Sequence, residues 1–246
     1  MKLAYAIMTI DDSRAERKKA IRNIVELPEC TDVPWVDGRR KVVAWRELKK
    51  RPWISVRGRF TWGEIGVWLS TITAWEYLVE SDLEALLVFE DDAIVELNFN
   101  ERLKEYIDDL PEDWDALALF VPQNQRGDYY YNVIYDEHGN PKSYRRGNKR
   151  FHESNYRIGD GPLSRSYQGY SGVAIMYRRS GAEKMLEAVR GHGLVSPADC
   201  FIFQMANVGH IKAYAPHPRQ DMVVDYDWDS SPSLIHDGNW FFERGV

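Results

Sequence analysis

The chain has 246 residues, of which 44% are hydrophobic and 28% charged, enough apolar material for a sizeable core in one domain. A formal net charge of -6 argues against a surface built wholly for nucleic acid, and two cysteines, Cys30 and Cys200, are too few for a disulfide framework or a Cys/His zinc site. The apolar run Leu3–Ile10 leads straight into Asp11-Asp12-Ser13-Arg14 with no small-residue cleavage site. No stretch approaches the roughly 20 apolar residues of a membrane span. A soluble chain in a reducing, cytoplasmic setting is therefore expected, with no obligate protein partner indicated.

Residues 3–10 read as a first buried strand. Ser13, with Glu16 three residues on, makes a capping box for a helix reaching about Leu27. A strand that ends at Thr9-Ile10 and hands over to a helix N-terminus is a natural seat for a nucleotide, and equally the ordinary first unit of an α/β fold. Trp35-Val36-Asp37-Gly38 follows, its Asp-Gly pair a turn signal. Between Arg39 and Arg59 stand nine cations and one acid, Glu47, interleaved with Trp45 and Trp53. Such a run is a solvated face or a surface for a diphosphate or a larger polyanion.

The centre of the chain is residues 60–93. From Glu64 to about Val79, the residues Ile65, Trp68, Leu69, Ile72, Trp75 and Val79 recur at three- and four-residue intervals, which predicts a helix with one buried face. Ala85-Leu86-Leu87-Val88-Phe89 then reads as a strand covered on both faces, and it closes on Glu90, Asp91 and Asp92. Three adjacent acids at a strand end repel one another, so a positive partner is expected. A hard divalent cation, Mg²⁺ or Mn²⁺, suits such oxygen ligands; a solvated acidic turn is the plain alternative.

Beyond the acids the pattern predicts a helix over 98–110, a strand over 116–121 and an irregular hairpin or lid over 122–170 with a second basic cluster, Lys142 to Arg150. A strand over 173–177 precedes a helix capped by Ser180 and Glu183 and stopped by Gly191 and Gly193. Asp199 opens the next helix as an N-cap or first-turn acid. A closing strand over 211–215 runs into Pro216-His217-Pro218, with His217 a loop histidine or a further metal ligand. The tail from Val223 carries only alternating Asp225, Asp227 and Asp229.

The Gly63-Glu64-Ile65-Gly66 element, Ser70 four residues on, and the strand closing on Glu90-Asp91-Asp92-Ala93 resemble glycosyltransferase family 25. Trp114-Asp115 before a strand, and Tyr177, Ser180, Gly181, Ala182, Met185 and Leu186, fall in the family's register, and the resemblance runs over about residues 3 to 221. It departs at Thr71, where the family usually has a histidine.

The resemblance implies one GT-A-like, Rossmann-like α/β domain, a mostly parallel sheet with helices on both faces. It implies a metal-dependent inverting transfer of a galactose or glucose unit from a UDP-sugar to a hydroxyl of a glycan, a protein or a hydroxymethylated DNA base. Asp91 and Asp92 would hold Mn²⁺ or Mg²⁺, supported by Glu90 and extended by His217. Thr9, Ile10, Asp37, Gly38, Gly63 and Ser70 would line the nucleotide. Asp199 would be the base, and Glu64 would orient the sugar or ribose. Two rivals stand beside this reading: a non-catalytic nucleotide-sugar or glycan binder on the same fold, which Thr71 favours, and a metal-dependent nuclease, which leaves the Gly-Glu-Ile-Gly element unexplained.

Overall fold

The computed structural model describes residues 1–9, 15–120, 131–135, 141–146, 163–165, 172–216, 224–226 and 240–241. The strands are β1 (Leu3–Met8), β2 (Phe60–Thr61), β3 (Ala85–Glu90), β4 (Ala93–Val95), β5 (Ala116–Ala118), β6 (Tyr131–Tyr135), β7 (Pro141–Arg146), β8 (Leu163–Arg165), β9 (Ala174–Arg178), β10 (Ala213–Pro216), β11 (Val224–Tyr226) and β12 (Trp240–Phe241). The helices are α1 (Ala15–Ile24), α2 (Lys41–Lys49), α3 (Trp62–Glu80), α4 (Phe99–Asp109), α5 (Arg179–His192) and α6 (Ala198–Asn207).

Six strands form the main sheet in the order β1-β3-β9-β5-β10-β8. β1 lies parallel to β3 and β10 parallel to β5, while β9 runs against both β3 and β5, and β8 against β10. Four of the six strands therefore share one direction, with β9 inverted in the middle. The sequence predicted β9 but not its direction, because an apolar run such as Val173–Tyr177 records burial on both faces and nothing about polarity.

Alternation along the strands divides the core in two. Ala4, Ala6, Leu86, Val88, Ile175 and Tyr177 face α3, α5 and α6, whereas Tyr5, Ile7, Leu87, Phe89 and Met176 face α1 and α4. Helices cover both faces, as the α/β class requires. α3 starts two residues earlier than its periodicity predicts and is buried on more than one side. Ile65, Trp68, Leu69, Ile72, Trp75 and Leu78 are all inaccessible, as are Ser70 and Ala74. It lies between the sheet, α2 and α5, and Arg51 clamps it to α2 through Glu76 (Nη2–Oε2 2.6 Å) and Thr73 (3.0 Å). One member of the basic run is thus structural.

Two short pairings bring the C-terminal tail onto this centre. β11 pairs with β4, placing Tyr226 opposite Ala93, and β12 pairs with β2, placing Trp240 opposite Thr61. The expected hairpin is present as β6–β7, its turn lying outside the described residues. Ser180 does not cap α5: the N-cap is Arg178, and the Ser180 hydroxyl bonds to Asp115 Oδ1 at 3.1 Å. Asp115, almost fully buried, also accepts from Lys184 Nζ (2.6 Å) and from the Lys212 amide (2.9 Å), so the sheet carboxylate outcompetes the helix terminus for that hydroxyl.

Candidate active site

The N-terminus of α3 is a packed cradle. Thr61 is its N-cap; the Thr61 amide donates to Glu64 Oε2 (2.6 Å) and the Glu64 amide donates to Thr61 Oγ1 (3.2 Å), a reciprocal capping box. The loop Val36-Asp37-Gly38 is seated directly on this turn. A Cβ at Gly38 would meet the Trp62 carbonyl at 2.1 Å, and one at Gly66 would meet the Gly38 amide nitrogen at 2.5 Å. Ser70 Oγ accepts from the Val36 amide (2.9 Å) and donates to the Gly66 carbonyl (2.8 Å). Asp37 is half-buried and holds Arg39 through both oxygens. The glycines and serine of the motif thus join Asp37, Gly38, Gly63 and Glu64 into one unit. The Thr61–Glu64 box was not part of the sequence reading, although the Thr-x-x-Glu spacing carries its signal.

At the ends of β1 and β3 the parallel register pairs Met8 with Glu90, so Thr9 and Asp91 leave the sheet side by side. The Glu90 amide donates to the Val173 carbonyl (2.8 Å), and its Oε1 lies where a Cβ of Gly172 would come within 2.9 Å. Asp91 is buried, Asp92 half-buried with its Oδ1 enclosed by protein, and Ala93 begins β4.

Asp199 sits in the first turn of α6, whose N-cap is Pro197 rather than Asp199 itself. α3 holds this helix start: Trp68 Nε1 donates to the Ser196 carbonyl (2.8 Å) and the Trp68 ring meets Phe201 edge to face at 5.2 Å. Two neutral groups register how closely the acids converge. The buried Tyr177 hydroxyl is pushed well above the usual tyrosine range by desolvation, then by the charges of Glu90 and Asp199. The Cys200 thiol is pushed up from 9.0 to about 12 by burial, then by the charge and hydrogen bond of Asp199, and less by Glu64. Glu64, Glu90 and Asp199, which lie on three different elements, thus share one region around Tyr177 and Cys200.

Asp91 and Asp92 offer hard carboxylate oxygens, and such a pair suits a cation of the Mg²⁺ class that completes its shell with phosphate and water. Among the described residues no group of three or more His, Cys, Asp or Glu is arranged to hold a metal ion. Ile10 and His217 lie outside the described residues. Thr71 is buried within α3.

The family model of glycosyltransferase family 25 (LPS biosynthesis protein) matches residues 47–202, more than half of the chain. The chain belongs to glycosyltransferase family 25. Family 25 relatives include procollagen galactosyltransferase 1 of Danio rerio, 25% identical over 240 residues, covering 93% of this chain and 35% of the relative. A glycosyltransferase 25 family member of Aedes aegypti is 28% identical over 189 residues, 75% of this chain and 26% of its own. The inactive glycosyltransferase 25 family member 3 of Homo sapiens is 40% identical over 62 residues, 24% of this chain and 10% of its own. The chain spans about a third or less of the length of these relatives. Among solved structures, apo mouse xyloside xylosyltransferase 1 aligns over 85% of this chain and 70% of its own, with 10% identity and a TM-score of 0.37. The matched span contains Glu64, Glu90, Asp91, Asp92 and Asp199; Asp37 and Gly38 precede it. No described helix is long and apolar enough to cross a membrane.

Proposed function

We propose that this family 25 domain is a metal-dependent inverting hexosyltransferase that uses a UDP-sugar, and that residues 1–246 act as one GT-A-like unit. The observation that supports the reading is that Glu90, at the end of β3, and Asp199, in the first turn of α6, both act on the buried Tyr177 hydroxyl. In this reading the acids at the end of β3 serve the donor and Asp199 serves the acceptor, at strand ends where open α/β folds take ligands.

In this reading Asp37 and Gly38 receive the uridine moiety, on a loop seated against Trp62, Gly63 and Gly66 of α3. Asp91 and Asp92, backed by Glu90, would hold Mn²⁺ or Mg²⁺, with His217 as a further candidate ligand, and Thr9 and Ile10 would belong to the nucleotide seat. The bound ion would offset the charge that develops on the leaving diphosphate. Asp199 takes the proton of the acceptor hydroxyl as its oxygen bonds to the anomeric carbon and the carbon–diphosphate bond breaks on the opposite face, which inverts the centre. Glu64 is committed first to the α3 cap, so any contact with sugar or ribose would come from its second oxygen. Two unpaired cysteines fit a reducing, cytoplasmic setting.

Calorimetric titration with UDP-galactose and UDP-glucose, in Mn²⁺ and then in EDTA, tests the donor site. Binding that EDTA weakens is expected; absence of binding to either nucleotide sugar contradicts the reading. The second reading, a non-catalytic binder, is favoured by Thr71 standing where the family usually has a histidine. It predicts donor binding with no turnover.

A further inference from the structure

Gly172 lies at the approach to β9, two residues before Ala174, and is partly exposed. A Cβ built on it would stand 2.9 Å from Glu90 Oε1 and 3.7 Å from the Glu90 carboxyl carbon. The nearest described atoms it would meet thus both belong to one carboxyl group. The φ of Gly172 is outside the left-handed region, so its backbone does not itself demand glycine.

The main chains on either side are held against such a Cβ. Phe89 pairs with Ala174 in the β3–β9 ladder, and the Glu90 amide donates to the Val173 carbonyl at 2.8 Å. The carboxylate can give way, because it is the far end of a flexible side chain with other staggered rotamers to adopt. Gly172 differs in this from the glycines that set how elements pack. A Cβ would meet the Trp62 carbonyl oxygen at 2.1 Å from Gly38, the Gly38 amide nitrogen at 2.5 Å from Gly66, and the Asp115 carbonyl oxygen at 2.2 Å from Gly181. Those glycines make room for backbone; Gly172 makes room for an acid.

We infer that Gly172 is a positioning residue, whose missing side chain keeps the Glu90 carboxylate seated at the head of β9. This deepens the transferase reading, and rests on it only for the claim that the seated carboxylate serves the donor site. Two relationships make its position matter. Glu90 ends β3 and is followed by the buried Asp91 and by Asp92, so a third negative charge beside that pair must stay at a fixed place for the pair to take a cation. The same carboxylate is near enough to the buried Tyr177 hydroxyl to act on it, as Asp199 also does. Rotated off Gly172, its charge would move relative to both.

The test compares the parent with Gly172→Ala, Glu90→Ala and the double variant. Melting curves, calorimetric titration with UDP-galactose and UDP-glucose in Mn²⁺, and crystal structures of the parent and Gly172→Ala supply the readouts. Gly172→Ala should melt as the parent does, with the Glu90 carboxylate rotated away and the β3–β9 backbone unmoved. Donor binding in Mn²⁺ should weaken about 10- to 100-fold in each single variant, as when the support of a metal ligand is lost. In the Glu90→Ala background Gly172→Ala should add nothing, since no carboxylate is left to displace. A melting temperature lowered as for a packing glycine, a carboxylate still in place, unchanged donor binding in Gly172→Ala, or additive losses in the double variant would overturn the inference. The two readings fail separately. A parent that binds no nucleotide sugar removes the transferase reading, and the seat is then decided by the melting curve and the position of the Glu90 carboxylate.

Discussion

A methyl group on Gly66 would stand 2.5 Å from the amide nitrogen of Gly38, so the two glycines hold the Asp37 loop and the first turn of α3 at a backbone-to-backbone contact no other residue permits. Gly66→Ala has no flexible side chain to displace and must push the loop away. A loss of about 1–3 kcal/mol in stability is expected, together with weaker UDP binding, measured by urea denaturation and by calorimetry. A variant as stable as the parent with unchanged UDP affinity would show that the loop is not part of the donor site.

Glu64 separates a structural role from a contact with donor. Glu64→Ala removes the acceptor of the Thr61 amide and should cost about 1 kcal/mol, as loss of a helix cap does. Glu64→Gln keeps a carbonyl oxygen for that amide and should recover most of the stability. If Glu64 also touches sugar or ribose, the Gln variant will be stable yet slow, with the loss in kcat; full activity in the Gln variant would confine Glu64 to the cap.

Asp115 should behave as structure, not chemistry. Asp115→Ala removes the nearly buried acceptor of the Lys212 amide and the Ser180 hydroxyl and frees the part-exposed Lys184 ammonium. About 2–3 kcal/mol of stability should be lost, with UDP affinity of the folded fraction intact. A loss of donor binding without a loss of stability would reverse the assignment.

The alkaline limb of stability follows from Cys200 and Tyr5. Burial holds the Cys200 thiol at about 12 against 9.0, and burial with Cys30 holds the Tyr5 hydroxyl at about 12 against 10.0. The folded state binds both protons more tightly than the unfolded chain, so this stability is fully present below pH 9 and is lost as pH rises towards 12. Melting temperature should fall across that window. Cys200 should resist iodoacetamide at pH 8 until urea unfolds the chain; rapid alkylation in the native state would contradict the burial argument.

How far the sequence was legible depends on what each signal encodes. The apolar runs of β3 and β9 and the period of α3 were readable because burial writes itself into residue type, yet strand direction is set by connections and does not. The Ser180 cap is not formed because a capping signal is local while its competitor, Asp115, comes from the residue just before β5. The strands β11 and β12 were missed since three- and two-residue pairings leave no periodicity, although they lie beside Ala93 and Thr61. In the candidate site, the Gly-Glu-Ile-Gly element and Asp199 were visible as residues, but the loop seated on Gly66 and the role of Trp68 in holding α6 exist only once the chain is folded.

The central claim, a metal-dependent transferase with Asp199 as base, is tested most directly by UDP release from UDP-galactose and UDP-glucose without acceptor. The parent, Asp92→Asn and Asp199→Asn would be compared in Mn²⁺ and in EDTA. The account predicts slow release from one donor by the parent, abolished by EDTA and by Asp92→Asn. For Asp199→Asn it predicts retained donor binding with release reduced at least a hundredfold, the order of a lost general base. Donor binding with no release from any nucleotide sugar, or release indifferent to EDTA and to both substitutions, would contradict it.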